Sequence, residues 1–181
     1  HDFGGPIGLA AGINQVKRIE RVVLFNSWIW ETSKLKEVKK IDKLVNSRLG
    51  KFLYLNMNIS PKSLLKKGFS RKKNLSRLVH RHYLMPFPTK TSRVPLLTLA
   101  KALAGSSEWY QDQWEKLDLL ADKKWLILWG SLDPFLSLNY LNKWVERLPH
   151  AKVEVLECGH FVQEEKSSQA IESIETFILT N

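Results

Sequence analysis

The 181-residue sequence has a single cysteine and no long apolar segment. Because one cysteine cannot form an internal disulfide, Cys158 gives no support for a disulfide-stabilised secreted fold and fits a reducing cytosol. No run reaches the roughly eighteen apolar residues that a membrane-spanning helix requires, and no basic-then-apolar leader is present. We therefore expect a cytoplasmic protein with no membrane partner. Cys158 itself could be a nucleophile, but a small residue ending a strand is the simpler interpretation.

Acidic residues are scarce between residues 34 and 77. This stretch holds 14 Lys and Arg but only two acids, Glu37 and Asp42, whereas the remainder carries 14 basic and 16 acidic residues. The net charge of +10 therefore originates in this one segment. Its basic residues alternate with Leu, Ile and Val at helical spacing, which is typical of the solvated faces of amphipathic helices. A phosphate-binding patch is the alternative, but no nucleic-acid motif accompanies it, so we expect no nucleic-acid partner.

Strand-like patterns are few as well. Short apolar runs that are typical of buried parallel strands occur at 19–25, 124–130 and 152–157. Helical patterns occur at 6–18, 139–148 and 167–179. The order strand, helix, strand, helix predicts an α/β fold with a parallel sheet and right-handed crossovers.

The stretch from 31 to 115 has helical patterns throughout and no convincing strand. Insertions at this point of an α/β sheet commonly act as lids. We therefore predict that residues 1–30 and 116–181 form the α/β core and that residues 31–115 form an all-helical cap. His80 and His82 lie in this segment without a third residue at metal-ligand spacing, so we expect no metal site.

Three chemically active side chains stand where a strand is expected to end: Asp2 at the start of the chain, and one after each of the two later predicted strands. In the opening sequence HDFGG, Asp2 and Gly4 fit the nucleophile-elbow pattern small-x-nucleophile-x-small, which presents a side chain at a sharp strand-to-helix turn. The first small position would precede residue 1, so we expect the chain to begin inside this motif. Asp133 and His160 follow the two later strands. Because α/β-hydrolase triads have the order nucleophile, acid, histidine, we predict these three residues as catalytic.

An aspartate nucleophile narrows the chemistry. With a reference pKa of ~3.9, Asp2 is already an anion at neutral pH, so it can displace a leaving group from an sp³ carbon without a base. The product of that step is an alkyl ester on the enzyme. His160 would then activate the water that hydrolyses the ester, and Asp133 would fix the imidazole tautomer. This chemistry suits alkyl halides or epoxides.

Five stretches of the sequence resemble the haloalkane dehalogenases. They are HDFGGPIGLAAG (1–12), NSWIW (26–30), AGSSEW (104–109), WGSLDPF (129–135) and GHFVQEE (159–165). The resemblance implies a partial α/β-hydrolase fold: about three parallel strands with flanking helices, plus an all-helical cap. It also implies a small hydrophobic substrate, a haloalkane or epoxide, with water as co-substrate and no cofactor. Because Asn26 occupies the other position that the family uses for its acid, the resemblance assigns the acid to Asp133.

The same resemblance bears on halide and substrate binding. Members of the family usually have a tryptophan after the nucleophile as a halide donor, and here Phe3 stands at that position. Phenylalanine has no ring N–H, so only the backbone amide of Phe3 can contribute, as part of an oxyanion hole. Trp28, Trp30 and Phe161 are candidates for lining the pocket, although the two tryptophans could equally pack the base of the following segment.

Two alternatives remain open at the level of sequence. The first is an epoxide hydrolase of the same fold, in which two of the tyrosines Tyr54, Tyr83 and Tyr110 protonate the opening ring. The second is an inactive truncated fragment, because the resemblance covers the C-terminal two-thirds of the fold and the earlier strands are missing. On that basis we expect the 181-residue chain alone to show little or no turnover.

Overall fold

A three-stranded parallel sheet forms the centre of the structure, a computed structural model that describes residues 1–179. The strands β1 (Arg21–Phe25), β2 (Lys124–Gly130) and β3 (Lys152–Leu156) lie in the order β1-β2-β3. Phe25 pairs with Leu128, and Gly130 pairs with Leu156. Every residue of β2 after Lys124 is buried, as expected for the central strand of a parallel sheet. The predicted α/β class with three parallel strands is confirmed.

Helices account for most of the remaining chain. They are α1 (Gly4–Ile13), α2 (Lys36–Val45), α3 (Arg48–Leu55), α4 (Leu65–Lys67), α5 (Arg77–Leu84), α6 (Val94–Gly105), α7 (Ser107–Glu115), α8 (Leu138–Arg147), α9 (Val162–Glu165) and α10 (Ser167–Leu179). Short 3-10 helices cover Val16–Arg18, Lys72–Asn74 and Lys116–Leu120, and a π-helical turn covers Ser60–Leu64. The helix predicted for residues 6–18 is therefore divided: α1 ends at Ile13, where the N–H of Gln15 bonds to the carbonyl of Gly12 and tightens the last turn.

The chain divides into two compact units. Residues 1–29, 68–74 and those from 113 onward form an α/β unit, whereas residues 30–67 and 75–112 form a helical unit. One buried cluster of the α/β unit joins the sheet to α9 and α10 and consists of Leu126, Leu128, Cys158, Val162, Ala170 and Phe177. The helical unit has its own cluster, formed by Val45, Tyr54 and Leu97. Each unit thus contains a separate hydrophobic core.

The basic segment has the exposure that amphipathic helices predict. All 14 Lys and Arg side chains between residues 34 and 77 are exposed, whereas α2 buries Val38 and Val45. Each cationic side chain therefore retains its hydration while the apolar positions supply the core. Among residues 1–179, no helix combines the length and apolarity needed to cross a bilayer.

Candidate active site

Asp2 lies two residues before the first residue of α1 and has a left-handed backbone conformation. Its φ is 48°, a region that a non-glycine residue adopts only where its surroundings impose it. Three hydrogen bonds do so. The Asp2 N–H donates to the Asn26 carbonyl at 3.0 Å, and the Asp2 carbonyl accepts from the Gly5 N–H at 3.0 Å and from the Ser27 hydroxyl at 2.7 Å. The result is a tight turn of the kind that presents a nucleophile.

The turn can form only because α1 lies very close to the end of β1. A Cβ atom on Gly5 would lie 1.8 Å from the Ser27 hydroxyl oxygen, so a larger residue would displace the hydroxyl that holds Asp2. The Ser27 carbonyl in turn accepts a hydrogen bond of 2.8 Å from the indole N–H of Trp144. Both Ser27 and Trp144 are buried, and together they fix the segment against which Asp2 is held.

His160 lies in the loop after β3, and its side chain is paired with Asp133. The His160 Nδ1 is 2.7 Å from the Asp133 Oδ2. Because an ionised carboxylate only accepts, Nδ1 carries the proton of this bond and Nε2 points away from Asp133. The backbone of His160 is held on both sides: its N–H donates to the Gly68 carbonyl at 2.7 Å, and its carbonyl accepts from His1 Nε2 at 2.9 Å.

Asp133 is buried, and both of its carboxylate oxygens have partners. Oδ1 accepts from the backbone N–H groups of Phe135 at 2.7 Å and Leu136 at 3.1 Å. Oδ2, besides its bond to His160, accepts from the Asn26 side-chain amide at 2.7 Å. Such a set of donors fixes the direction of the carboxylate. Asp133 can therefore hold one imidazole tautomer.

Asn26 is the partner of Asp133 that the sequence did not predict. It is fully buried at the end of β1. Its amide nitrogen also lies 3.3 Å from the Gly130 carbonyl, and its oxygen accepts from the Gly130 N–H at 2.8 Å. The amide thus joins the end of β1 to the end of β2 and to the acid. The sequence showed a polar residue directly after an apolar run, at the other position that the resemblance gives for the acid, but it did not assign a contact to Asn26.

Asp2 faces the other side of the imidazole. Its Oδ2 lies 3.7 Å from His160 Nε2, and its side chain is 42% exposed whereas that of His160 is 4% exposed. This separation is too long for a good hydrogen bond, so the two groups interact mainly through charge. Burial lowers the pKa of His160, but Asp133 and Asp2 outweigh it and raise that pKa to about 9. The resting site therefore contains an imidazolium between two carboxylates at neutral pH.

Aromatic side chains surround this group. The rings of His1, Phe161 and Phe135 have centroids 4.4, 5.0 and 5.4 Å from that of His160. Phe3 packs edge-on against Trp28 with centroids 5.0 Å apart. Trp30 belongs to the helical unit. Of the predicted pocket residues, Trp28 and Phe161 thus belong to the α/β unit that holds Asp2, Asp133 and His160.

Cys158 is fully buried two residues before His160. Burial and then the charge of Glu165 raise the pKa of its thiol to about 12. Since the thiolate is the reactive form, we expect iodoacetamide at pH 7.5 to leave Cys158 unmodified in the folded chain and to modify it fully after denaturation, as measured by intact mass. Rapid labelling of the folded chain would restore the interpretation of Cys158 as a nucleophile.

Residues 1–179 contain no cluster of three His, Cys, Asp or Glu side chains arranged to hold a metal ion. His80, which the sequence places near His82, instead has its Nε2 2.9 Å from the Pro61 carbonyl. This contact lies within the helical unit and fits a packing role for His80.

The fold and the site together define an α/β protein with an aspartate, a histidine and a second aspartate at the carboxyl edge of a parallel sheet. The family model described as the alpha/beta hydrolase fold matches residues 1–167, and the chain belongs to this family. Within the family it resembles the haloalkane dehalogenases, as its motifs predicted.

Curated relatives and solved structures support this resemblance. The chain is 29% identical to cis-3-alkyl-4-alkyloxetan-2-one decarboxylase of Shewanella oneidensis, over 98% of the chain and 58% of that protein. It is 25% identical to haloalkane dehalogenase 2 of Mycobacterium tuberculosis, over 91% of the chain and 57% of that protein. The haloalkane dehalogenase DatA of Agrobacterium tumefaciens has the same fold, with a TM-score of 0.80 at 21% identity over 98% of the chain and 64% of that structure. The chain therefore spans somewhat more than half the length of the curated relatives.

Proposed function

We propose that this chain carries the catalytic groups of a haloalkane dehalogenase-like hydrolase. The observation that carries the proposal is the arrangement of Asp2, His160 and Asp133: an anion in a strained turn, 3.7 Å from an imidazole that a buried acid holds at 2.7 Å. A carboxylate in place of a hydroxyl nucleophile favours displacement at carbon, because it needs no base to become reactive. We further propose that the helical unit, which is inserted into the α/β unit along the chain, is a cap domain.

The proposed reaction has two steps. In the first, an Asp2 carboxylate oxygen attacks the carbon that bears the halogen, the carbon–halogen bond breaks, and halide leaves. In the second, His160 Nε2 removes a proton from water, and the oxygen attacks the Asp2 ester carbonyl. The alcohol departs, Asp2 is regenerated, and the proton is released to solvent. Asp133 stabilises the imidazolium that forms during the second step.

The change of charge at Asp2 links these two steps. Asp133 and Asp2 both raise the pKa of His160 in the resting site. Once Asp2 is esterified its negative charge is gone, so one of the two groups that stabilise the imidazolium is lost. The pKa of His160 then falls, Nε2 releases its proton to solvent, and the neutral imidazole can act as the base of the second step. The first step needs no base, so the His160 ring can stay protonated while Asp2 attacks.

The oxyanion of the second step would be stabilised by the Phe3 backbone N–H, at the start of α1. Phe3 is the residue that precedes Gly4, the first residue of that helix, and the N-terminal end of a helix carries partial positive charge. The Phe3 ring itself cannot donate to a departing halide. A departing halide would therefore need another hydrogen-bond donor. Phenylalanine at position 3 thus favours leaving groups that need no such donor.

A second candidate reaction is suggested by the relative that acts on a cis-3-alkyl-4-alkyloxetan-2-one. In such a four-membered lactone, attack of Asp2 on the alkyl carbon breaks the ring C–O bond and leaves a carboxylate attached to the substrate. Loss of carbon dioxide can then expel Asp2, so that an alkene forms and the enzyme is regenerated. This route needs no halide donor, which fits Phe3, and it needs no water.

The third candidate, an epoxide hydrolase, has less support. Tyr110 is buried, and its hydroxyl donates to the Ala102 carbonyl at 3.0 Å. Tyr54 is part of the buried cluster of the helical unit, and burial raises the pKa of its hydroxyl. Two of the three tyrosines that could protonate an epoxide are thus used in packing. Tyr83 alone would not form the expected pair.

Three substrates tested side by side separate these candidates. The purified chain is incubated at stoichiometric concentration with 1-bromohexane, a cis-3,4-dialkyl-oxetan-2-one or 1,2-epoxyhexane, so that even a single turnover is detectable. The dehalogenase proposal predicts bromide and 1-hexanol from the first substrate, in as little as a single turnover, through an ester on Asp2 that intact mass detects. Alkene and carbon dioxide from the lactone alone would favour the decarboxylase. Diol from the epoxide alone would overturn both.

A further inference from the structure

A third carboxylate, that of Glu165, lies near the catalytic histidine. Glu165 is the last residue of α9, five residues after His160. Its Oε1 accepts hydrogen bonds from the backbone N–H groups of Gly159 at 2.8 Å and Ser70 at 3.0 Å. Its Oε2 accepts from the Asn74 side-chain amide at 2.6 Å and from the Ser70 hydroxyl. One side chain thus joins the loop that carries His160 to the segment 68–74.

The two loops that Glu165 joins are also in direct contact with one another. The backbone N–H of His160 donates to the Gly68 carbonyl at 2.7 Å. A Cβ atom on Gly159 would lie 2.1 Å from that same carbonyl oxygen and 2.8 Å from the Glu165 Oε1. A side chain on residue 159 would not fit between the loops. Glu165 and the Gly68 carbonyl therefore contact the backbone at residues 159 and 160 and hold it in place.

The ionised form of Glu165 suits the hydrogen bonds that it makes. An ionised carboxylate is an acceptor at both oxygens, and all of its partners here are donors. Burial alone raises the pKa of Glu165, but the hydrogen bonds from Ser70, Asn74 and Gly159 outweigh it and lower that pKa below its usual value. The network therefore persists as a set of charge-assisted bonds at neutral pH, and such bonds are about twice as strong as neutral ones.

We infer that Glu165 is a positioning residue for His160: it fixes the backbone at residues 159–160 against segment 68–74, so that Nδ1 stays on Asp133 while Nε2 faces Asp2. The inference rests on the proposed function, because it assigns Glu165 to the water-activating step. The inference predicts different effects on the rate of ester formation and on the rate of ester hydrolysis. Attack by Asp2 does not need His160 as a base, whereas hydrolysis of the ester does, so a misplaced imidazole slows only the second step.

The test compares Glu165→Ala with the matched control Glu157→Ala, which removes an exposed carboxylate three residues before His160. After a single exposure to 1-bromohexane, intact mass follows the formation and decay of the alkyl-enzyme. We expect the ester on Glu165→Ala to form at the wild-type rate and to decay about 100-fold more slowly, the effect typical of a catalytic group displaced by roughly 1 Å. Glu157→Ala should match wild type in both rates.

A conservative variant and a measurement on the resting protein complete the test. Glu165→Gln keeps an oxygen for Gly159 and Ser70 but places an NH₂ group against the Asn74 donor, so its decay rate should lie between those of wild type and Glu165→Ala. The imidazole nitrogen NMR signals of His160 should change in Glu165→Ala and Glu165→Gln and stay unchanged in Glu157→Ala. If Glu165→Ala does not fold, Glu165→Gln decides both readouts.

The outcomes distinguish this inference from the proposed function. If wild type forms no alkyl-enzyme, the proposed function fails, and the NMR signals alone decide whether Glu165 positions His160. If the ester forms in wild type and decays at the same rate in the Glu165 variants, the inference is wrong while the function stands. Slower formation together with slower decay would indicate general loosening of the site and would also overturn the positioning role.

Discussion

We expect the chain carrying Asp2→Asn to form no ester when it is incubated with 1-bromohexane. The side-chain amide carries no negative charge, so the attacking anion is lost although the shape of the residue and the turn that holds it are preserved. Removal of a nucleophile from a catalytic unit lowers rates by ~10⁴-fold or more, and we expect an effect of at least that size on alkylation. Intact mass measures it, and hydroxylamine, which cleaves esters, confirms the type of adduct in wild type.

The matched control for this prediction is Asp112→Asn, which changes an exposed aspartate of the helical unit. This variant should be alkylated at the wild-type rate and on the same peptide. An ester that forms on Asp2→Asn as quickly as on wild type would place the nucleophile elsewhere. In that case the strained turn at Asp2 would need another explanation, since φ values of this kind in a non-glycine residue persist only where the surroundings enforce them.

We expect the His160→Gln variant to accumulate the alkyl-enzyme and to release it far more slowly than wild type. Ester formation needs only the Asp2 anion and should proceed, whereas hydrolysis needs the base. General-base catalysis contributes about 10²–10⁴-fold, so the ester should decay slower by that factor and be seen by mass spectrometry as a stable adduct. An ester that forms and then persists is more informative than a loss of activity, because a misfolded variant would not form the ester at all.

His150→Gln is the control for the histidine prediction, because His150 is exposed in the turn after α8. It should form and lose the ester as wild type does. If His160→Gln released hexanol at the wild-type rate, the water-activating role of His160 would be wrong. If the lactone were the true substrate, alkene formation would continue in His160→Gln, because that route needs no activated water.

Much of the α/β unit could be predicted from the sequence, since its signals are local. The run KWLILWG gave β2 its bounds, because a central parallel strand is apolar throughout. Asp133 and His160 could be expected close together because the carboxyl ends of parallel strands share one edge of the sheet. In the structure the two side chains are 2.7 Å apart. The number of residues between the two motifs does not by itself predict that contact; the shared edge of the sheet does.

The supports of the site could not be predicted, because they depend on tertiary packing. Asn26 contacts Asp133 only because the register of β1 against β2 brings the ends of the two strands level, with Phe25 opposite Leu128. The segment 68–74 lies within a stretch of helical patterns, yet it belongs to the α/β unit. Its bonds to Glu165 join residues 91 and 95 positions apart. Sequence patterns with periods of two or 3.6 residues carry no information at that range.

The buried amide of Asn26 limits how this site can change during evolution. An aspartate at position 26 would face Asp133 at the 2.7 Å now spanned by a hydrogen bond, and two carboxylates that close cannot both ionise. An amide at both positions would leave the Nδ1 side of the imidazole without a carboxylate partner. The acid can therefore move between the two strand ends only if the amide moves in the opposite direction. The position of the acid therefore depends on residues 26 and 133 together and not on either one alone.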